Sequence, residues 1–213
     1  MKLTKYNHAT VVLEQDGATL VIDPGVFTPE AVDLVRGATG VLITHDHPDH
    51  LDADAVRAGL AANPELVVRG PQTVVEQLGG HGGRVVAVRA GDSVAVGPFS
   101  VRVFGEQHAV IHPDIPTTAN VGYLVDDAVF HPGDAYLQPG VPVPTLLLPT
   151  SGPWTNTAEA VDYVRAVAPE RAVQIHEAML SDLGQQSAAR FLGPDGLGPV
   201  PVVILPAGEA ITV

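Results

Sequence analysis

The chain has no cysteine. Disulfide staples and thiolate nucleophiles are therefore excluded, and any transition-metal site has to be built from histidine and carboxylate. A chain without cysteine suits a reducing cytoplasm, which is the expected location. Basic residues are scarce too: 11 Lys and Arg stand against 24 Asp and Glu, a net charge of −13. A surface of that sign repels phosphate backbones over long range, so nucleic acid is not an expected partner. Long apolar runs are missing. Nothing approaches the roughly 20 residues needed to span a bilayer, and Met1 to His8 lacks the apolar centre of an export signal. No membrane partner is expected. What is present is 46% hydrophobic and only 16% charged, the composition of a chain that folds around a core. The 213 residues suit a single domain, 1–213.

Local patterns place the elements. Thr10 to Leu13 and Ala18 to Ile22 read as strands around Asp16-Gly17, a hairpin signal, and Asp23-Pro24-Gly25 ends the second. Pro29 to Arg36 reads as a short helix, and Val41 to Ile43 as a buried strand that runs into a histidine cluster. Asp52 caps a helix to Ala62; Leu66 to Val68 is a strand and Pro71 to Leu78 a helix closed by Gly79-Gly80. Arg84 to Val88, Ser93 to Val96 and Ser100 to Phe104 are strands between glycine turns. Val121 to Val125 and Ala128 to Phe130 form a hairpin on Asp126-Asp127. Leu146 to Leu148 and Ala172 to Ile175 are strands, Thr157 to Ala168 and Ser181 to Phe191 helices, and Val202 to Leu205 with Ala210 to Val213 close the sheet. Strands come first and helices interleave later in both halves. This predicts an α/β fold of four layers, an αβ/βα sandwich of two mixed sheets with helices outside.

The chemistry concentrates in His45-Asp46-His47-Pro48-Asp49-His50. Imidazoles and carboxylates are the ligands of a zinc-type site that has no thiolates. Alternate residues of an extended segment point the same way, so His45 and His47 can share one metal. Pro48 bends the chain and lets Asp49 and His50 reach a second. Each metal needs about three protein ligands and an open position, so distant residues must contribute. Three candidates follow strands: His108, Asp134 and His176. His112 competes with His108, and otherwise lines the pocket. His8 is either structural or a donor that touches substrate. Asp23 and Asp46 are turn residues or carboxylates that orient a ligand histidine. His131 positions the turn to Asp134, His81 lies in a surface loop, and Trp154, the single tryptophan, is a pocket wall or a core anchor. Arg102, Arg165 and Arg171 are the candidates to bind an anion.

The pattern His45-x-His47-x-Asp49-His50, followed in order by a His, a Gly-Asp and a His, resembles the metallo-β-lactamase-fold hydrolases over essentially the whole chain. Asn7-His8-Ala9-Thr10 and Val21-Ile22-Asp23-Pro24 are similar to the opening of the compact branch that includes the ascorbate-6-phosphate lactonase-like proteins. The resemblance implies that His45, His47 and His108 hold one metal, that Asp49, His50 and His176 hold a second, and that Asp134 bridges them. It implies a hydroxide between two divalent ions, zinc first, with manganese, iron or nickel as alternatives. Asp49 would orient the nucleophile or take its proton, with His8 as the second catalytic group. The expected function is hydrolysis of a small-molecule ester, lactone, amide or phosphate ester. The alternatives are a phosphodiesterase or nuclease of the same fold, and a metal-holding binding protein without turnover. Many Ala and Val residues point to a homo-oligomer.

Overall fold

Two seven-stranded sheets pack face to face in this computed structural model, which describes residues 1–213. The first half of the chain supplies β1 (Lys2–Lys5), β2 (Val11–Gln15), β3 (Ala18–Ile22), β4 (Gly40–Leu42), β5 (Val67–Gly70) and β6 (Val85–Ala87), with helices α1 (Ala31–Gly37), α2 (Ala53–Ala62) and α3 (Gln72–Leu78). The second half supplies β7 (Ser93–Val96), β8 (Phe99–Phe104), β9 (Gly122–Val125), β10 (Val129–His131), β11 (Thr145–Pro149), β12 (Arg171–Ile175) and β13 (Val202–Val203), with α4 (Thr157–Val167) and α5 (Asp182–Leu192). The last strand, β14 (Ala210–Thr212), returns to pair with β1.

The sheet orders are β14-β1-β2-β3-β4-β5-β6 and β13-β12-β11-β10-β9-β8-β7. In each half a run of antiparallel hairpins gives way to parallel strands, joined through helices except for the loop between β10 and β11. The inner faces share one core that includes Leu13, Ile22, Leu42, Phe99, Tyr123, Leu147 and Ile175. Val35, Val56, Leu60 and Val74 of α1 to α3 cover the outer face of the first sheet, and Val161 and Val164 of α4 cover that of the second. The architecture is the expected four-layer sandwich. Burial of one such large aliphatic or aromatic side chain contributes roughly 1.5–3 kcal/mol.

Local chemistry explains most boundaries. Asp52 caps α2 by accepting from the amides of Asp54 and Ala55; Asn156 and Ser181 do the same for α4 and α5. The hairpins at Asp16-Gly17 and Asp126-Asp127 have positive φ at both central residues, the conformation that follows strand twist. One strand goes unforeseen in the sequence and one expectation needs correction. The strand Lys2–Lys5 carries little apolar signal and forms because it is paired on both sides. The two final strands do not close one sheet: β13 is an edge of the second sheet and β14 of the first. No helix is long and apolar enough to cross a membrane.

Candidate metal centre

Parallel strands leave their C-terminal ends on one edge of a sheet, and β4, β10 and β12 do so here, joined by the segment beyond β8. The loop after β4 carries His45 to His50, tightened by the amides of His50 and Leu51 donating to the His47 carbonyl. The preceding loop clamps it. Val26 N–H donates to the Pro48 carbonyl and Asp52 N–H to that of Pro24. A Cβ on Gly25 would stand 1.9 Å from the Asp49 carbonyl oxygen, so only glycine admits this approach.

Eight side chains converge. Three sets have ligand atoms all within 4.8 Å of one another: His45, His47 and His108; His8, Asp49, His50 and His176; and His45, His50 and Asp134. Asp134 joins the sets. Its Oδ1 lies 3.1 Å from His50 Nε2, and its Oδ2 lies 3.4 Å from His108 Nε2 and 3.0 Å from His176 Nε2. Asp49 Oδ2 is 3.4 Å from His176 Nε2. The sequence candidates are thus brought together, His108 included. His112 is not: it is exposed and faces Asp114 at 3.6 Å.

The far ring nitrogens are tied down. Asp23, fully buried, accepts from the Thr44 amide and hydroxyl, each at 2.7 Å, and lies 2.7 Å from His50 Nδ1. His45 Nδ1 is 3.0 Å from the Thr44 hydroxyl, and His108 Nδ1 is 2.6 Å from the Ala109 carbonyl. A carboxylate and a carbonyl only accept, so His50 and His108 carry the hydrogen on Nδ1. The Thr44 hydroxyl gives its proton to Asp23 and accepts from His45. Each ring therefore turns its Nε2 into the cluster. His45 Nε2, His50 Nε2, Asp134 Oδ1 and both nitrogens of His176 are buried without a hydrogen-bond partner. Orphaned buried polar atoms are costly, and a converging set of them is the donor arrangement that a divalent cation satisfies.

Electrostatics agree. Burial and the neighbouring His50 push His45 well down, toward the neutral form. Burial opposes charge on His50, but Asp134 and Asp23 on either side outweigh it and hold that imidazole well above its ordinary value. Burial likewise opposes charge on Asp134 and Asp49. His50, His108 and His176 nevertheless hold Asp134 well below the usual carboxylate range, and His176 and His8 hold Asp49 below it. Both carboxyls are ionised at neutral pH.

Other contacts were beyond local patterns. Trp154 Nε1 donates to Asp134 Oδ2 at 2.8 Å, and the Asp134 amide donates to Asn120 Oδ1 at 3.0 Å. His131 accepts from the Gly133 amide through Nδ1 and lies 2.9 Å from the Ala9 carbonyl through Nε2, so it does shape the turn to Asp134. Asp23 is both things foreseen for it: a residue at φ 51° and the carboxylate behind His50. Asp46 turns aside and accepts from the Thr118 hydroxyl. His81 is an exposed residue between α3 and β6. His8 and His176 both have positive φ, 60° and 57°. The strain is held by His176 N–H donating to the His8 carbonyl and by the buried pair of Lys5 with Glu177, whose carboxylate also accepts from His8 N–H. Arg102 pairs with Asp127, while Arg165 and Arg171 donate to the Leu197 and Thr212 carbonyls, so none of the three reaches the centre. A cleft of about 600 Å³ between Pro71, Arg89, Glu106 and Val121 touches none of the eight side chains.

Residues 2–176 match the model of a family described as a beta-lactamase superfamily domain. Protein Rv0786c of Mycobacterium tuberculosis is 40% identical over 186 residues, covering 85% of this chain and 86% of its own. The UPF0173 protein PYRAB01190 of Pyrococcus abyssi is 32% identical over 83% of both, and a UPF0173 metal-dependent hydrolase of Hyperthermus butylicus is 28% identical over 75% of this chain and 77% of its own. Among solved structures, Igni18, a metallo hydrolase of Ignicoccus hospitalis, superimposes with a TM-score of 0.76 at 22% identity, covering 99% of this chain and 97% of that one. That last likeness is one of fold.

Proposed function

The chain belongs to the beta-lactamase superfamily and is a metal-dependent hydrolase of it; we propose that it acts on a small-molecule ester, lactone or amide through a site for two divalent ions, zinc by preference. The observation that carries this reading is the pair of partnerless buried Nε2 atoms of His45 and His50, each ring held from behind through its Nδ1. His45, His47 and His108 would hold one ion, and Asp49, His50 and His176 the other, with Asp134 reaching both. Such ions polarise a scissile carbonyl and make water acidic enough to attack at neutral pH.

The chain's own groups do the rest. Asp49, a quarter exposed, is the cluster's ionised carboxylate nearest the open side, placed to orient a water and take its proton. His8 stands behind it. The Ala178 amide donates to His8 Nδ1 at 3.3 Å, so the hydrogen sits on Nε2 and points at Asp49 Oδ2, 3.1 Å away. A histidine held in that tautomer steadies the carboxylate instead of binding a metal. Trp154 and Asn120 fix the two ends of Asp134.

Elemental analysis of purified protein, wild type and Asp134→Ala, tests the reading, alongside turnover of phenyl ester, lactone and phosphodiester substrates. The expected result is about two equivalents of metal in the wild type, fewer in the variant, and turnover that chelator abolishes. Full loading with no turnover on any substrate would favour a metal-holding protein instead.

A further inference from the structure

The loops that frame the metal centre carry exposed apolar side chains and no Lys or Arg. Ten large hydrophobic side chains are exposed, and five of them belong to the three loops that frame the cluster: Val26, Phe27, Val110, Ile115 and Met179. The Phe27 ring stands edge-on to His8 with centroids 5.1 Å apart, and the Val26 amide is bonded to Pro48 inside the histidine loop. Val110 follows His108 by two residues, and Ile115 lines a small cavity together with His47 and His108. Met179 follows Ala178, whose amide holds His8. Scattered single hydrophobics are ordinary on a surface, but a set gathered around one polar centre is the arrangement of a ligand site.

Eight of the eleven basic residues are engaged by other groups. Lys2, Arg36, Arg57 and Arg102 pair with Glu14, Asp33, Asp54 and Asp127. Lys5 is buried against Glu177. Arg84, Arg165 and Arg171 donate to backbone carbonyls. Arg69 lies on β5, Arg190 on α5, and Arg89 in the cleft that misses the centre. A sugar phosphate or nucleotide bound here would find no guanidinium or ammonium on the framing loops for charge beyond the reacting group. Acidic side chains, Asp46 and Asp114 among them, stand nearby instead.

We propose that the substrate is an uncharged small molecule whose non-reacting part is an apolar group, received by Val26, Phe27, Val110, Ile115 and Met179. This rests on the hydrolase reading above and narrows its substrate class, setting phosphorylated and polyanionic substrates aside.

The test uses the metal-loaded protein. Turnover is measured on phenyl esters of straight-chain acids from acetyl to octanoyl, on a succinyl ester that carries a carboxylate, and on bis-phenyl phosphate. Affinity of alkyl hydroxamates of the same lengths, which bind metal without reacting, is measured by calorimetry. Expected is a two- to fourfold gain in kcat/KM and in hydroxamate affinity per added methylene, roughly what burial of a methylene supplies. The succinyl ester and the phosphate should be the poorest substrates. In Val110→Asp/Ile115→Asp the octanoyl-to-acetyl ratio should collapse by about tenfold or more. In Leu183→Asp, exposed on α5, the ratio should stay as in the wild type. A flat chain-length series, or a preference for the charged substrates, overturns the inference and leaves the hydrolase reading standing. Hydroxamates that bind with the expected chain-length gain while no ester turns over sink the hydrolase reading and keep the apolar rim.

Discussion

Asp23 touches no atom that a metal would contact, yet it holds His50 and the Thr44 amide and hydroxyl at once. An amide in its place offers one acceptor oxygen against three donors and turns its own N–H₂ toward groups that now donate. Asp23→Asn should therefore lower metal affinity about 10- to 100-fold, read by competition with a chelator of known strength, with the fold intact by circular dichroism. Unchanged affinity would mean that His50 is oriented by packing alone. The residue scale also explains what the sequence could and could not disclose. His45 to His50 are legible because all four candidate ligands lie on one loop. Trp154 and Asn120 are not, because their bonds to Asp134 span 20 and 14 residues and depend on how the loops before β9, after β10 and after β11 meet. Asp23 sat between: Asp-Pro-Gly marks a turn, and nothing local distinguishes a turn aspartate from one that also faces a histidine.

Elements meet the site through backbone conformations that few residues tolerate. Gly133 has φ 65°, and a Cβ there would stand 2.1 Å from Asn120 Oδ1 and 2.8 Å from Thr44 Cβ. Gly133→Ala should cost about 1–3 kcal/mol in urea unfolding and reduce metal content as well, because the turn carries Asp134. Gly17, in the β2–β3 hairpin, has φ 77° but open space around it. Gly17→Ala should cost only about 1–2 kcal/mol for the left-handed conformation and leave metal content alone. Equal metal loss in both would show that the Gly133 effect is general destabilisation. Element types were readable from alternation, caps and breakers, since these act over a few residues: Asp52 caps α2 as its position suggests. Partners were not readable. The pattern of Val202 to Leu205 and Ala210 to Val213 says strand in both cases, while the chain path past Gly208 sends one to each sheet.

At the scale of the molecule, the site is where the two sheets are joined by something other than apolar contact. His45, His47, Asp49 and His50 come from the first sheet's side, and His108, Asp134 and His176 from the second. An ion shared between these sets would tie the halves together at one edge, while the mixed core of Leu42, Tyr123 and Ile175 does so through the middle. A ligand that binds only the folded state stabilises it by RT ln(1 + [L]/Kd), about 2.7 kcal/mol at a free concentration one hundred times Kd. Chelation should therefore lower the melting temperature of the wild type by several degrees, about 2–4 °C per kcal/mol for a chain of this size. It should do little to Asp134→Ala, which lacks the residue facing both sets. Hydrogen exchange should place the loss: amides in 45–51, 108–110, 133–135 and 176–180 exchange faster without metal, while those of β2, β9 and β11 keep their protection, because their bonds lie inside the sheets. A chelated protein with unchanged melting and unchanged exchange in those four segments would mean that the histidines and carboxylates satisfy one another, and that the edge is held without an ion.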